Sequence, residues 1–471
     1  MMKLYRRECR RIAAGLVYYL FLAVLVFGWS RSFRGVTKTE IDWAEGIAPT
    51  GTVLDRPLIS KPSREDAYFG NKTSEDDPEA IMTGVTRALL LEYGSNCYAT
   101  YPFGYYKAVT LDADDQERVL AILCEITGLT EEQLENLPKD YFPAVTGTII
   151  SVDQVRMDEN GAVVIPADLM STDGDGADHD AGPDKTKHFI SQVTYDHFKE
   201  LMREMEQIIG EKGSKYSPEM MVTYFGISER SYEEALAEYE QTIVQDKVTG
   251  GFARLFCDYM GLSLGLYPVF IAVLLWLQDR RSNAAELIYS RRISSARLVL
   301  SRYLAAITMV LIPVIALSLE SLIPLVSFGA KNGIPVDYLA YLRYICWWLL
   351  PTVMAVCAVG TFFTLLTDSP IAIALQFLWW VLDKGVTGLS GDTGITTLMV
   401  RHNTLRGCEL IRDGFGTICV NRAVIAGVSI LLVLLSVWVL EQKRKGRINA
   451  AKIYGKYLGN LQSKFSSGYQ K

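Results

Sequence analysis

The stretch Ile12–Trp29 reads IAAGLVYYLFLAVLVFGW and carries no charged side chain. About 20 apolar residues are enough for a helix to cross the hydrocarbon core of a bilayer. Backbone polar groups in lipid must find their hydrogen-bond partners within the spanning segment, so each apolar run is predicted to be a helix. Four further runs are also free of charge: Tyr259–Leu277, Tyr303–Leu319, Tyr344–Thr367 and Ala423–Leu440.

A sixth apolar run, Ser369–Leu382, is shorter and is followed by Asp383 and Lys384. Its beginning is well marked, because Asp368 offers a helix cap and Pro370 suits the first helical turn. Hydropathy alone leaves the crossing of this run open. The distribution of positive charges favours a crossing.

Lysine and arginine cluster in three places: before the first run, in the loop 278–302 and in the tail 442–471. Short flanks rich in these residues stay in the cytoplasm. Three cytoplasmic segments require an even number of spans, so we predict six, with both termini cytoplasmic. The first run lacks a small-x-small cleavage pattern and is therefore interpreted as a retained anchor. We expect a multi-pass protein of the bacterial plasma membrane.

The segment 31–250 is acidic, with 41 Asp and Glu against 20 Lys and Arg, whereas the remaining residues hold 12 acids and 27 bases. This contrast predicts one large domain outside the membrane. The expected organisation is an N-terminus with the first span (1–30), an acidic extracellular domain (31–250), a five-helix membrane domain (251–441) and a basic cytoplasmic tail (442–471). The fold class is an α-helical membrane protein with an α-rich α+β extracellular domain.

Within the acidic segment, residues 31–72 lack periodicity and are expected to form an extended stalk. A strand is predicted at Lys107–Leu111. A hairpin is predicted around Asn160-Gly161, because this dipeptide suits the positive φ angles of a tight turn. Capping signals and apolar spacing predict six helices, which begin near Ser74, Asp112, Thr130, Thr194, Ser217 and Ser231.

The sequence offers no catalytic constellation and no phosphate-binding loop; Gly210–Lys215 has glycines and lysines in the wrong order. We therefore expect a protein that is not an enzyme and binds no nucleic acid. The acidic stretch Asp173–Asp184 fails the EF-hand pattern, since Ala177 and Asp178 stand at its fifth and sixth positions, and no metal site is predicted. The pairs Cys97–Cys124 and Cys408–Cys419 could each form a disulfide, but spacing alone does not decide this.

The loop 278–302 between the second and third runs is the most specific segment. It reads DRRSNAAELIYSRRISSARLVLSR from Asp279 to Arg302. A charged cluster comes first, then a short helical stretch with Glu286, then a basic break. A short interfacial helix attached to two spans would act as a lever for a cytosolic partner. The simpler alternative is that the loop is only a positively charged anchor that contacts lipid headgroups.

This loop resembles that of the permease subunits of ABC-2-type exporters, which commonly carry Glu-Leu-Leu, then Pro-Ile-Ser-Arg, then Leu-Leu-x-Gly-Lys-x-Leu-Ala. Glu286-Leu287, Ile293-Ser294 and Leu298–Ala305 fit the pattern. Arg292 stands where proline is usual, and Ser301-Arg302 replaces Gly-Lys. A large outer domain between the first two spans is similar to one branch of that family.

The resemblance implies that two such permeases pair, as identical copies or paralogues, within the membrane lipids. Each would dock a separate ATPase, which carries the ATP and Mg²⁺, so no cofactor is expected in this chain. The substrate and its binding residues stay unknown. The coupling residues implied are Arg280, Arg281, Glu286, Arg291, Arg292, Arg297 and Arg302.

Two other functions compete with an ATP-driven exporter. The first is a non-transport sensor or secretion accessory that displays an extracellular interaction domain. The second is an ion-coupled transporter, which the lack of a charge near the middle of any apolar run disfavours. Asp258, Glu320, Arg343 and Asp383 all fall near the predicted outer ends.

Overall fold

A computed structural model describes residues 1–47, 56–66, 68–101, 107–137, 141–142, 156–157, 163–164, 189–210, 213–281, 293–386 and 394–447. The chain divides into two compact units. Met1–Gly70 and Arg230–Lys471 form the membrane unit, and Asn71–Glu229 form the inserted unit. The inserted unit is thus shorter than the acidic segment 31–250.

Helices dominate the described residues. In chain order they are α1 Met2–Ala13, α2 Leu16–Ser32, α3 Val36–Ala44, α4 Pro78–Ser95, α5 Ala113–Thr127, α6 Glu131–Glu135, α7 Tyr195–Ile209, α8 Pro218–Phe225, α9 Tyr232–Glu240, α10 Thr249–Leu264, α11 Pro268–Arg281, α12 Ser295–Asn332, α13 Ala340–Tyr344, α14 Leu350–Thr367, α15 Ile371–Val386, α16 Cys408–Asp413 and α17 Phe415–Arg444. Two π-helical segments, Gln241–Gln245 and Ile345–Leu349, follow α9 and α13. The strands are β1 Asn71–Thr73, β2 Tyr98–Thr100, β3 Lys107–Val109, β4 Arg156–Met157, β5 Val163–Val164 and β6 Ile227–Glu229.

Five helical stretches of the membrane unit are long and apolar enough to cross a bilayer, which confirms the helices predicted for the five long runs. They are Leu16–Ala44, Thr249–Asp279, Ser295–Asn332, Ala340–Thr367 and Phe415–Arg444. The sixth run forms a shorter apolar helix, Ile371–Asp383. It begins directly after Pro370, which the sequence placed in the first turn, and Asp368 is the C-cap of α14. The crossing of this run stays a prediction.

The helix α14 lies at the centre of the membrane unit and packs against α11, α12, α15 and α17. Gly360 permits its close approach to α11, since a Cβ there would lie 2.7 Å from the Cβ of Ala272. The second apolar run is divided into α10 and α11 at Gly265. A Cβ added to this glycine would lie 2.8 Å from the sulfur of Met399. Small residues therefore set the spacing of the central helices.

The predicted stalk is wrong over Val36–Ala44, which form the helix α3. Gly35, with a φ of 87°, separates this helix from α2. The buried hydroxyl of Thr37 hydrogen-bonds to that of Ser321 in α12. Such a contact between distant segments leaves no periodic signal in the sequence, and this explains the error.

The inserted unit combines helices with three two-stranded antiparallel sheets, β1–β6, β2–β3 and β4–β5. Its α+β character is confirmed, and so are most of its helix starts, except that α4 begins at Pro78 behind the cap Asp77 and not at Ser74. Asp112 caps α5, and Thr130 with Gln133 forms a capping box at α6. The predicted hairpin is present, with Arg156 opposite Val164. The pairing of Asn71 with Glu229 closes the unit where the chain enters and leaves it.

All eight cysteines are free, so neither possible disulfide is formed in the structure. The acidic stretch Asp173–Asp184, including His179, lies outside the described residues. The core of the inserted unit is therefore held by apolar packing, with Ile81, Val85 and Leu89 from α4 among its fully buried side chains.

We predict that a fragment of residues 71–229 folds without the rest of the chain, since it has its own core and closing strands. Leu89 is 0% exposed, whereas Leu91 on the same helix is 58% exposed. Leu89→Ala should lower the free energy of unfolding by about 3 kcal/mol, because it leaves a cavity. Leu91→Ala should change it by about 0.5 kcal/mol or less.

Urea unfolding followed by circular dichroism measures both effects. A fragment without a cooperative transition, or equal losses for the two variants, would show that residues 71–229 do not form an independent core.

Candidate functional site

The predicted coupling loop leaves α11 and enters α12. Glu286, Arg291 and Arg292 lie outside the described residues, as do the side chains of Arg280 and Arg281 at the end of α11. Arg297 is exposed on the first turn of α12, and its backbone N–H donates to the cap hydroxyl of Ser294 at 3.3 Å. Arg302 is buried. The structure thus places the last two predicted residues in different environments.

Arg302 lies between two acidic groups and an aromatic ring. Its guanidinium donates to a carboxylate oxygen of Asp279, and its Nε lies 3.6 Å from Glu8 Oε1. Its central carbon lies 4.4 Å from the centre of the Trp276 ring, a cation–π contact. Arg302 therefore contacts α1 and α11 from its own helix α12, and it has no free face for a partner protein.

A second arginine completes this group. Arg11 of α1 contacts Asp279 Oδ1 at 2.7 Å and Glu8 Oε2 at 3.5 Å. Its Nε donates to Gln278 Oε1 at 3.1 Å. Two arginines and two carboxylates balance each other, which buried ions require. We call Glu8, Arg11, Asp279 and Arg302 the loop-base cluster.

The far side of the loop is fixed by α17. Ser295, the first residue of α12, donates its hydroxyl to Glu441 Oε2 at 2.7 Å. Arg444 donates to the carbonyl oxygen of Ile293 at 2.5 Å. The adjacent Lys443 pairs with Asp368 at 2.7 Å, which ties α17 to the segment between α14 and α15.

Both ends of the loop are therefore held by side chains from other helices. The entry end is bound to α1 and α12 through Asp279, and the exit end is bound to α17 through Ile293 and Ser295. The residues on either side of the loop therefore connect α1, α11, α12 and α17. Sequence reasoning missed Glu8, Arg11, Asp279 and Glu441, although a charged residue beside an apolar run could have indicated them.

Sequence reasoning also missed a second group, built on a non-helical segment, 394–407, whose residues Thr397–His402 are buried. Irregular backbone at membrane depth is tolerated only where the protein satisfies its polar groups. Arg422 of α17 does so: it donates to the carbonyls of Thr397 at 2.9 Å and Leu398 at 3.2 Å. Asn421 donates to the carbonyl of Gly394 at 2.7 Å.

Two acids near predicted outer ends hold the same segment. Asp258 of α10 accepts from Arg401 at 2.5 Å. Asp383 of α15 accepts from the backbone N–H groups of Leu398 at 2.7 Å and Met399 at 3.2 Å. These contacts assign both acids to the packing of the segment. The group therefore stabilises the bundle and leaves the loop-base cluster as the candidate site.

Comparison with known proteins gives a family match for a segment that contains the loop. The model of one family, described as ABC-2 family transporter protein, matches residues 142–382, just over half of the chain and including the whole loop 278–302. No curated protein and no solved structure matches the chain.

We predict that Arg302→Gln destabilises the full chain, because it leaves the buried carboxylates of Glu8 and Asp279 with a single arginine. Breaking a buried ion pair on one side costs about 3–5 kcal/mol. Arg297→Gln is the matched control. It removes an exposed arginine from the same helix and should change stability by about 0.5 kcal/mol or less.

The measurement is the heat-induced unfolding midpoint of the purified chain in one detergent, followed by intrinsic fluorescence. Arg302→Gln should lower this midpoint by several degrees relative to Arg297→Gln. Coincident midpoints would mean that the loop-base cluster does not hold the helices together.

Proposed function

The chain belongs to the ABC-2 family of transporter proteins, and we propose that it is the permease subunit of an ATP-driven exporter. A separate cytosolic ATPase would bind the loop 278–302 and supply the energy from ATP and Mg²⁺. The permease would act as a pair, with a second copy or a paralogue. Substrate would move outward across the plasma membrane.

The observation that supports coupling is the attachment of the loop at both ends. Asp279 and Ser295 each contact a helix other than their own. A loop held on one side alone would bend when pushed. A loop held on both sides moves the helices to which it is attached, and this is what a docked ATPase requires to change the permease.

The proposal assigns different roles to the seven predicted coupling residues. Arg302, being buried, is a positioning residue that fixes the base of the loop. Arg297, being exposed, is available to a partner. Arg280, Arg281, Glu286, Arg291 and Arg292 are proposed to provide the remaining contacts with the ATPase, since complementary charges set the specificity of such surfaces.

Six spans and cytoplasmic termini are part of the proposal. The support is the charge distribution together with the apolar helix Ile371–Asp383, which would provide the sixth crossing. The segment 31–250 would then lie outside the cell.

We predict that an impermeant maleimide labels Asn160→Cys in intact cells but labels Asn460→Cys only after lysis. Mass spectrometry of the labelled peptides separates these sites from the native cysteines. Expression of both variants at equal membrane levels is the control. Labelling of position 460 in intact cells would contradict the proposed topology.

We predict that Glu286→Lys weakens the binding of the ATPase, because it reverses a charge at the docking surface. Insertion should be unaffected, since orientation depends on Lys and Arg and the loop stays net basic. The measurement is the amount of ATPase that co-purifies with the permease, together with ATP turnover and transport.

The matched control is Glu131→Lys, the same charge reversal at an exposed position of the inserted unit. Recovery of the ATPase should fall for Glu286→Lys and stay unchanged for Glu131→Lys. Equal recovery with equal ATP turnover would mean that the loop only anchors the protein to lipid, and would favour a non-transport role.

A further inference from the structure

A cavity of about 680 Å³ lies at the end of the membrane unit where α10 and α17 begin. Its lining contains three arginines, Arg254, Arg343 and Arg412. Among the described residues that line it, Asp246 is the single carboxylate. The wall therefore carries a net positive charge, in contrast to the acidic segment 31–250.

The three arginines play different roles. Arg254 is 1% exposed and donates to both carboxylate oxygens of Asp246, at 2.8 and 2.5 Å. This pair forms a neutral, fixed floor. Arg343 and Arg412 lie at the rim and are exposed.

The two rim arginines are able to bind a further anion. The side chain of Arg343 is 61% exposed and contacts Asp337 at 2.8 Å, and an exposed pair of this kind contributes little to stability. Arg412 donates to the neutral side-chain oxygen of Gln245. Guanidinium groups bind phosphate oxygens in a bidentate manner.

An aromatic wall adjoins these cations. The ring centres of Trp347 and Phe415 are 5.2 Å apart, and those of Tyr344 and Trp347 are 5.9 Å apart. Phe415 is 54% exposed. A ligand that satisfied only the arginines would leave this apolar surface uncovered, so the cavity fits a molecule with an anionic head and an apolar body.

The backbone around the cavity is unusual at two places. Each π-helical segment contributes one residue to the wall of the cavity, Gln245 from the first segment and Trp347 from the second. Val248, three residues after the end of the first segment, has a φ of 55°, a strained conformation for a β-branched residue. Single π-helical turns and strained residues concentrate at functional sites.

We propose that this cavity binds the headgroup of an anionic phospholipid from the surrounding bilayer. The phosphate would lie between Arg343 and Arg412, and an acyl chain would cover Trp347 and Phe415. The cavity lies where the apolar helices begin, which is the level of lipid headgroups. The lipid is a resident ligand of the permease, and its binding does not depend on the proposed transport function.

The test is native mass spectrometry of the full chain in detergent, titrated with phosphatidylglycerol or with phosphatidylcholine of the same acyl chains. The wild-type chain should bind phosphatidylglycerol more tightly than the zwitterionic lipid. The double variant Arg343→Gln with Arg412→Gln should bind phosphatidylglycerol about 30-fold more weakly, because each arginine near a lipid surface contributes on the order of 1 kcal/mol.

The matched control is Arg31→Gln with Arg34→Gln, which removes two exposed arginines at the end of α2 and should leave the affinity unchanged. An equal loss in both double variants would overturn the proposal, since it would reflect net charge alone. Equal affinity for the two lipids would overturn it as well. Inorganic phosphate that binds the delipidated chain as tightly as the lipid would identify a free-anion site instead.

Arg343→Gln alone should weaken phosphatidylglycerol binding several-fold. The unfolding midpoints of the variants should equal that of the wild-type chain, because the substituted arginines are exposed. Equal midpoints would show that the variants are folded. Co-purification of the ATPase should be unaffected in all of them, so failure of the lipid site and failure of the transport proposal give different results. The mass spectra also report dimers. If the variants lose a dimer peak and no lipid is bound to the wild-type chain, a second copy of the chain covers the cavity.

Discussion

A bilayer offers no water to a buried charge or to an unpaired backbone group, and the membrane unit is arranged around this constraint. Arg302 is the clearest example. Its guanidinium is buried within an apolar bundle and is held by Asp279, Glu8 and the ring of Trp276. Neither acid lies on the helix that carries the arginine. The need to neutralise one charge therefore fixes three helices relative to each other.

The same constraint explains the irregular segment 394–407. Its carbonyl groups would be unsatisfied in lipid, but Arg422 and Asn421 donate to them from α17. Asp383 accepts the N–H groups of the same segment from α15. Side chains of the long helix α17 and of the short apolar helix α15 thus both bind the backbone of the same segment, which connects the two helices. Replacement of Arg422 by an apolar residue would remove one donor from each of the carbonyls of Thr397 and Leu398, which would then accept only from Asn421 and Thr352.

The sequence predicted those features whose physical cause is local. The side chain of Asp112 caps the helix that follows it, and the capping box of Thr130 and Gln133 joins residues three positions apart. It did not predict the helix Val36–Ala44, whose contact at Thr37 comes from Ser321 in a distant segment. The partners of Arg302 were missed for the same reason. The loop was identifiable from its charges, but the side chains that hold it in place lie elsewhere in the chain.

The helix α17 connects the two regions that carry the proposals. Its first residue, Phe415, lies in the wall of the cavity, and its last residue, Arg444, holds the exit of the loop. A helix of this length extends about 45 Å, which exceeds the roughly 30 Å of the hydrocarbon core. Between its ends, Arg422 is fixed to the backbone of Thr397 and Leu398. Because a helix resists compression, a displacement of the loop that moved Arg444 along the helix axis would act on Arg422 and on Phe415 as well. The contacts of Arg422 with the segment 394–407 would oppose such a displacement.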